Sequence, residues 1–102
     1  MKNETINLNR IMYLKADSNY TEFHFTCGKK QLSPRTLKHH QNRHELKDFL
    51  RVNNSLLLNP TYIDGVCKKN STSIVKLKNG MEVVVSRRRQ NVLQAIKQHP
   101  SH

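Results

Sequence analysis

Ser73 to Arg89 reads SIVKLKNGMEVVVSRRR: two apolar runs, Ser73 to Lys78 and Met81 to Val85, joined by Asn79-Gly80 and followed by a serine and three consecutive arginines. Asn-Gly between two β-branched runs is a strong local sign of a hairpin, because it supplies the positive φ angles of a type I′ turn. The stretch therefore predicts a β-rich domain. The arginine block predicts something else, since a rigid strand end that gathers three guanidiniums is a good anchor for a polyanion.

The same strand signature recurs upstream. Ile11 to Leu14 is a short apolar run, and Tyr20 to Thr26 alternates, with Thr21, Phe23 and Phe25 on one face and Glu22, His24 and Thr26 on the other. The phenylalanine face should point inward. Cys27-Gly28-Lys29-Lys30 reads as a hairpin turn into a strand at Gln31 to Ser33. Ser33-Pro34 then reads as a helix start, with Ser33 as N-cap, and predicts a surface helix from Pro34 to about Glu45. Further strands are expected at Phe49 to Val52, Leu56 to Leu58 and Tyr62 to Cys67. Val92, Leu93 and Ile96 give an i, i+1, i+4 stripe for a closing helix of about ten residues beginning near Arg87. The tail from about residue 98 to 102 is expected to fray.

At 102 residues the chain fits one domain. Hydrophobic residues make up only 35% of it, so the core should be thin, as in sheets that bury one face. Nothing approaches the roughly 20 apolar residues of a membrane span, and Met1 to Asn9 lacks the apolar centre of a signal peptide, so a cytoplasmic protein without a membrane partner is expected. Cys27 and Cys67 stand far apart and read as free, partly buried thiols. Lys and Arg outnumber Asp and Glu by 18 to 7, leaving a formal charge of +11. An acidic partner is implied, and nucleic acid is the commonest.

Three stretches carry candidate chemistry. If the last helix begins near Arg87, Arg87, Arg88 and Arg89 crowd positive charge where free amides are already positive, at a cost of about 0.3–1 kcal/mol each. A bound phosphate reverses the sign of that effect. Phe49 to Asn59 reads FLRVNNSLLLN, two apolar halves around Asn53, Asn54 and Ser55, a polar tip whose amides and hydroxyl suit phosphate oxygens or an adenine edge. Arg51 alternates away from Leu50 and Val52 and is expected to be exposed. The tip at Asp17 to Tyr20 offers short donors and a stackable ring. Plain turn chemistry explains both tips equally well. His39, His40 and His44 look like metal ligands, and His40 with His44 has the i, i+4 spacing, but no Glu makes HExxH and no third ligand with familiar spacing lies nearby, so exposed histidines on a basic helix are expected, with no metal and no cofactor. Neither a phosphate loop nor a nucleophile elbow is present, and the acidic residues are scattered singly, so no enzyme activity is expected.

The order of these pieces resembles the LytTR family of bacterial DNA-binding domains. Ile11 to Thr21, IMYLKADSNYT, matches its apolar strand followed by an NYT tip, and Thr36-Leu37-Lys38 matches its helix opening. Phe49, Arg51, Ser55, Leu57, Asn59 and Ile63 match its central strand pair, and Asn79-Gly80 with Val85 to Arg88 match its closing hairpin and VSRR. The matching core runs from about residue 11 to 97. Asn53 and Asn54 depart from the pattern, standing where the family often has His and Arg or Lys.

The resemblance implies an elongated, mainly β domain of small antiparallel sheets with one or two short α-helices, which reads double-stranded promoter DNA with loops. Carried onto this chain, Asn19, Tyr20 and Thr21, the Asn54-Ser55 turn and Arg87-Arg88 should approach DNA, with Arg89 beside them. Thr21 is expected to touch a base edge, and Lys15, Arg51, Lys68 and Lys69 to add less specific charge. The family further implies a bacterial transcription regulator, the output module of a two-component system, with two copies on repeated half-sites. A receiver or sensor domain is expected upstream or on another polypeptide. The rival readings are a single-strand or RNA-binding β module, which needs exposed aromatics, a metal nuclease built on the histidines, and a basic domain that binds protein.

Overall fold

A computed structural model describes residues 8–97. Eight strands and two short helices follow one another as β1 (Ile11–Asp17), β2 (Tyr20–Phe25), β3 (Lys30–Ser33), α1 (Leu37–Gln41), β4 (Leu50–Arg51), β5 (Leu56–Leu58), β6 (Ile63–Lys69), β7 (Thr72–Leu77), β8 (Glu82–Val84) and α2 (Val92–Lys97). A five-stranded sheet has the order β3-β2-β1-β5-β4, and a three-stranded sheet the order β6-β7-β8. Every strand pairing is antiparallel. The body measures 47 × 29 × 24 Å, elongated as expected. The expected fraying of residues 98–102 lies outside the described residues.

The closing hairpin forms, but its turn differs in type. Only Gly80 takes a positive φ, +93°, while the Asn79 side chain accepts the Met81 amide at 3.0 Å and Gly80 N–H donates to the Leu77 carbonyl at 2.9 Å. Asn79 thus stays right-handed and Gly80 supplies the left-handed residue, a three-residue loop rather than type I′. The two-residue turn with two positive φ angles is Asn70-Ser71, at 51° and 73°, between Lys69 and Thr72.

Three layers build the core. Tyr13, Val52, Leu56, Leu58, Val75, Leu77, Val83 and Val85 are buried between the two sheets, closed by Val92, Leu93 and Ile96 of α2. Ile11, Leu14, Phe23, Leu37, Leu46 and Leu57 form a second cluster between the opposite face of the larger sheet and α1. The central strands are therefore buried on both sides, and the expectation of one-faced sheets holds only for the smaller sheet. Along β5 all of Leu56, Leu57 and Leu58 are buried, a continuous apolar run rather than an alternating one.

The first helix is shorter than its sequence suggests. Ser33 pairs with Thr21 in the sheet, so Thr36 becomes the cap, its hydroxyl accepting from His39 N–H at 3.3 Å. The chain leaves α-helical geometry after Gln41 and makes a separate 3-10 turn at His44–Leu46. His40 is not solvated: it is 2% exposed, because the i, i+3 spacing from Leu37 places it on the buried side. Its Nε2 meets the Ser33 hydroxyl at 2.9 Å and its ring stands edge-on to Phe23. Cys27 and Cys67 are both free, and both exposed rather than partly buried.

Candidate nucleic-acid interface

Strand direction decides which loops share an end. Antiparallel pairing of Asp17 with Tyr20, Thr21 with Ser33, Lys15 with Leu56 and Arg51 with Leu57 sends the 17–20 turn, the 34–36 loop and the 52–55 turn to one end of the larger sheet. The smaller sheet joins them there. Ser86 N–H donates to the Val52 carbonyl at 2.8 Å, and the Asn53 side-chain amide donates to the Val84 carbonyl at 2.7 Å. Ala16 N–H donates to the Ser55 carbonyl at 2.8 Å, tying the first turn to the second. Three tips far apart in the chain therefore form one continuous end of the molecule.

Each tip is held by local polar chemistry. Asn53 Oδ1 accepts the Ser55 amide at 2.8 Å, an Asx turn that fixes the second tip while its Nδ2 reaches the other sheet. Ser18 holds a left-handed φ of 56° in the first. In the third, Arg87–Arg89 forms a 3-10 turn, separated from α2 by Gln90 and Asn91, so the arginines precede the last helix instead of opening it. Gln90 pins this turn: its Nε2 donates to the Val85 and Ser86 carbonyls at 3.2 and 3.1 Å, while Ser73 Oγ donates to its Oε1 at 3.1 Å.

Such an end can hold anions and short hydrogen-bonding edges. Among the described residues Asp17 is the carboxylate in the tips themselves, Glu22 and Glu82 stand on the strands opposite Lys15 and beside Lys69, and Asp64 lies at the far end of β6. In the tips themselves Arg35, Arg87, Arg88 and Arg89 stand against Asp17.

The family profile of LytTr DNA-binding domains matches residues 2–98. The chain belongs to the LytTR family. No curated protein matches it in sequence. Among solved structures, it superposes with a TM-score of 0.72 on the LytTr DNA-binding domain of a protein described as a methyl-accepting/DNA response regulator from Bacillus cereus, at 19% identity, covering 90% of this chain and 84% of that one. That likeness supports the fold.

In this LytTR domain the residues expected at the site divide into two groups. Asn19, Tyr20, Asn54, Ser55, Arg87 and Arg88 are all exposed at the shared end, and Arg89 is half-buried there. Thr21 is the first correction: it is fully buried, and its hydroxyl donates to the Arg35 carbonyl at 2.8 Å, leaving nothing to offer a base. Arg51 is the second. It is half-buried, with Nε donating to the Asn53 carbonyl at 2.7 Å, Nη2 to the Asn54 carbonyl at 2.9 Å and Nη1 to Gln41 Oε1. Its guanidinium is used in shaping the tip, and burial, then the Arg89 charge, lowers its proton affinity.

The peripheral lysines differ in availability. Lys68 is exposed, while Lys69 lies 3.5 Å from Glu82 in an exposed pair of small energetic weight. Lys15 is exposed opposite Glu22. Sequence reading missed Gln90, Gln41 and the tying role of Asn53. No local pattern marks them, because Ser73 for Gln90, Arg51 for Gln41 and Val84 for Asn53 are partners distant in sequence.

Proposed function

We propose that this end of the domain binds double-stranded DNA sequence-specifically through its loops, as the output module of a bacterial transcription regulator. The observation that carries the reading is the joining of the three tips by backbone and Asn53 hydrogen bonds into one end that holds three arginines. In this reading Arg88, with Arg87 and Arg89 beside it, meets guanine O6 and N7 or clamps phosphate. Asn54 and Ser55 fix register on the backbone, and Asn19 and Tyr20 contact the next stretch of duplex. Lys15, Lys68 and Lys69 add sequence-independent attraction, and Arg51 holds the second tip in shape. Promoter DNA with repeated half-sites is the proposed partner, bound by two copies side by side. The controlling signal then comes from a receiver or sensor domain, upstream or on another polypeptide.

The single-strand reading has less to stand on. Tyr20, 52% exposed, is the one aromatic among the described large exposed apolar residues, whereas Tyr13 and Phe23 are buried, and a stacking platform needs several rings. The metal nuclease loses His40 to the core, and the described residues hold no group of three or more His, Cys, Asp or Glu placed for a metal. Selection from randomised duplexes with the purified chain is the test. Enrichment of one short motif is expected, and failure to enrich any, or preference for single strands, overturns the reading.

A further inference from the structure

The burial of Thr21 removes one expected contact and exposes another. Its hydroxyl, 0% exposed, donates to the Arg35 carbonyl at 2.8 Å, and the Arg35 amide in turn donates to Ser33 Oγ at 3.3 Å. Ser33 Oγ also meets His40 Nε2 at 2.9 Å, so the loop between β3 and α1 is anchored in the core from two sides. Register places this loop directly beside the first tip: Ser33 pairs with Thr21, which puts Pro34 and Arg35 alongside Tyr20. The backbone of Arg35 is thus held while its side chain is exposed, with no ion pair among the described residues.

A solvent-facing guanidinium on a held backbone, with no carboxylate partner among the described residues and at the outer flank of the interface, is suited to grip a phosphate. Resting on the function proposed above, we infer that Arg35 is a fourth DNA contact, a phosphate clamp lying beyond the Asp17–Tyr20 tip. The four stations then run in the order Arg35, Asn19 and Tyr20, Asn54 and Ser55, Arg87 to Arg89, each joined to the next by strand register or hydrogen bonds. Thr21 serves this arrangement as a positioning residue, through the carbonyl it holds.

The test uses the full chain on its selected duplex and on a random duplex of equal length. Arg35→Ala should weaken both several-fold and by the same factor, and lower the log–log salt slope by about 0.9, the value of one neutralised phosphate. Ethylation interference should lose its signal at one end of the footprint only, and Arg35→Lys should retain most of it. Thr21→Val, which removes the hydrogen bond to the Arg35 carbonyl, should blur that same end while the melting curve confirms a folded chain. An unchanged slope and footprint for Arg35→Ala, with the wild type still binding, refutes the clamp and leaves the three-tip reading intact. A larger loss on the selected duplex than on the random one also refutes it, since that is the behaviour of a base reader. Failure of the wild type to bind any duplex sinks both.

Discussion

Arg88 and Lys68 are both exposed cations, yet their settings differ. Arg88 sits in a turn pinned by Gln90 to the Val85 and Ser86 carbonyls, whereas Lys68 lies on the outer strand of the smaller sheet. A planar guanidinium on a fixed turn can pair bidentately with guanine, and a flexible ammonium acts as a point charge. Arg88→Ala should therefore cost about 1–3 kcal/mol on the preferred duplex and flatten its sequence preference, while Lys68→Ala should weaken all duplexes alike. Competition binding against single-base variants separates the two, and equal losses on every sequence for Arg88→Ala would remove its base-reading role. Thr21 shows what sequence allowed at this scale. The alternation that put Phe23 and Phe25 inward also put Thr21 inward, and the burial follows that pattern instead of the motif that nominated it.

At the scale of elements, α1 carries a pH dependence. His40 is buried against Phe23, with Arg43, His39 and Arg35 as its charged or titratable neighbours, and its Nδ1 has no hydrogen-bond partner among the described residues. Burial first, then the neighbouring positive charges, lowers its pKa from 6.5 to about 4. Below about 6.5 the unfolded chain binds a proton that the folded chain refuses until about 4, so stability is lost as pH falls through that window. Unfolding free energies from urea titrations at pH 7 and pH 5 should differ by about 2 kcal/mol from this group, and His40→Gln should shrink the difference. An equal pH response in the variant would assign the effect elsewhere.

The elements were legible where their chemistry is local. Asn79-Gly80 marked its hairpin, and Val92, Leu93 and Ile96 marked the helix that covers the inter-sheet core. Asn70-Ser71 was not legible, because both residues adopt left-handed geometry without glycine. The start of α1 was misread because Ser33-Pro34 has capping chemistry, while cross-strand pairing with Thr21 claims Ser33 for the sheet.

For the whole molecule, charge and length set the binding behaviour. A formal charge of +11, with four arginines against the one described carboxylate of the tips, Asp17, should orient the approach to a polyanion. Affinity should fall with salt at a log–log slope of about −0.9 per neutralised phosphate, and a flat response would exclude the electrostatic account. A body 47 Å long reaches about 14 base pairs at roughly 3.4 Å each, so one copy should protect no more than that. The candidate site's residues Asn19, Asn54 and Arg88 stand out in sequence because they lie in recognisable polar or basic stretches. Its continuity was not, because the bonds from Ala16 to Ser55, Asn53 to Val84 and Ser86 to Val52 exist only after the two sheets dock.

That cross-sheet amide of Asn53 means that selectivity and stickiness arise at different moments in the life of the chain. An incompletely folded polypeptide keeps its cations, and under the proposed function would attract any polyanion alike. Under the same reading, discrimination between one operator and its neighbours would require the final hairpin closed against the rest, because Asn53 meets Val84 only there.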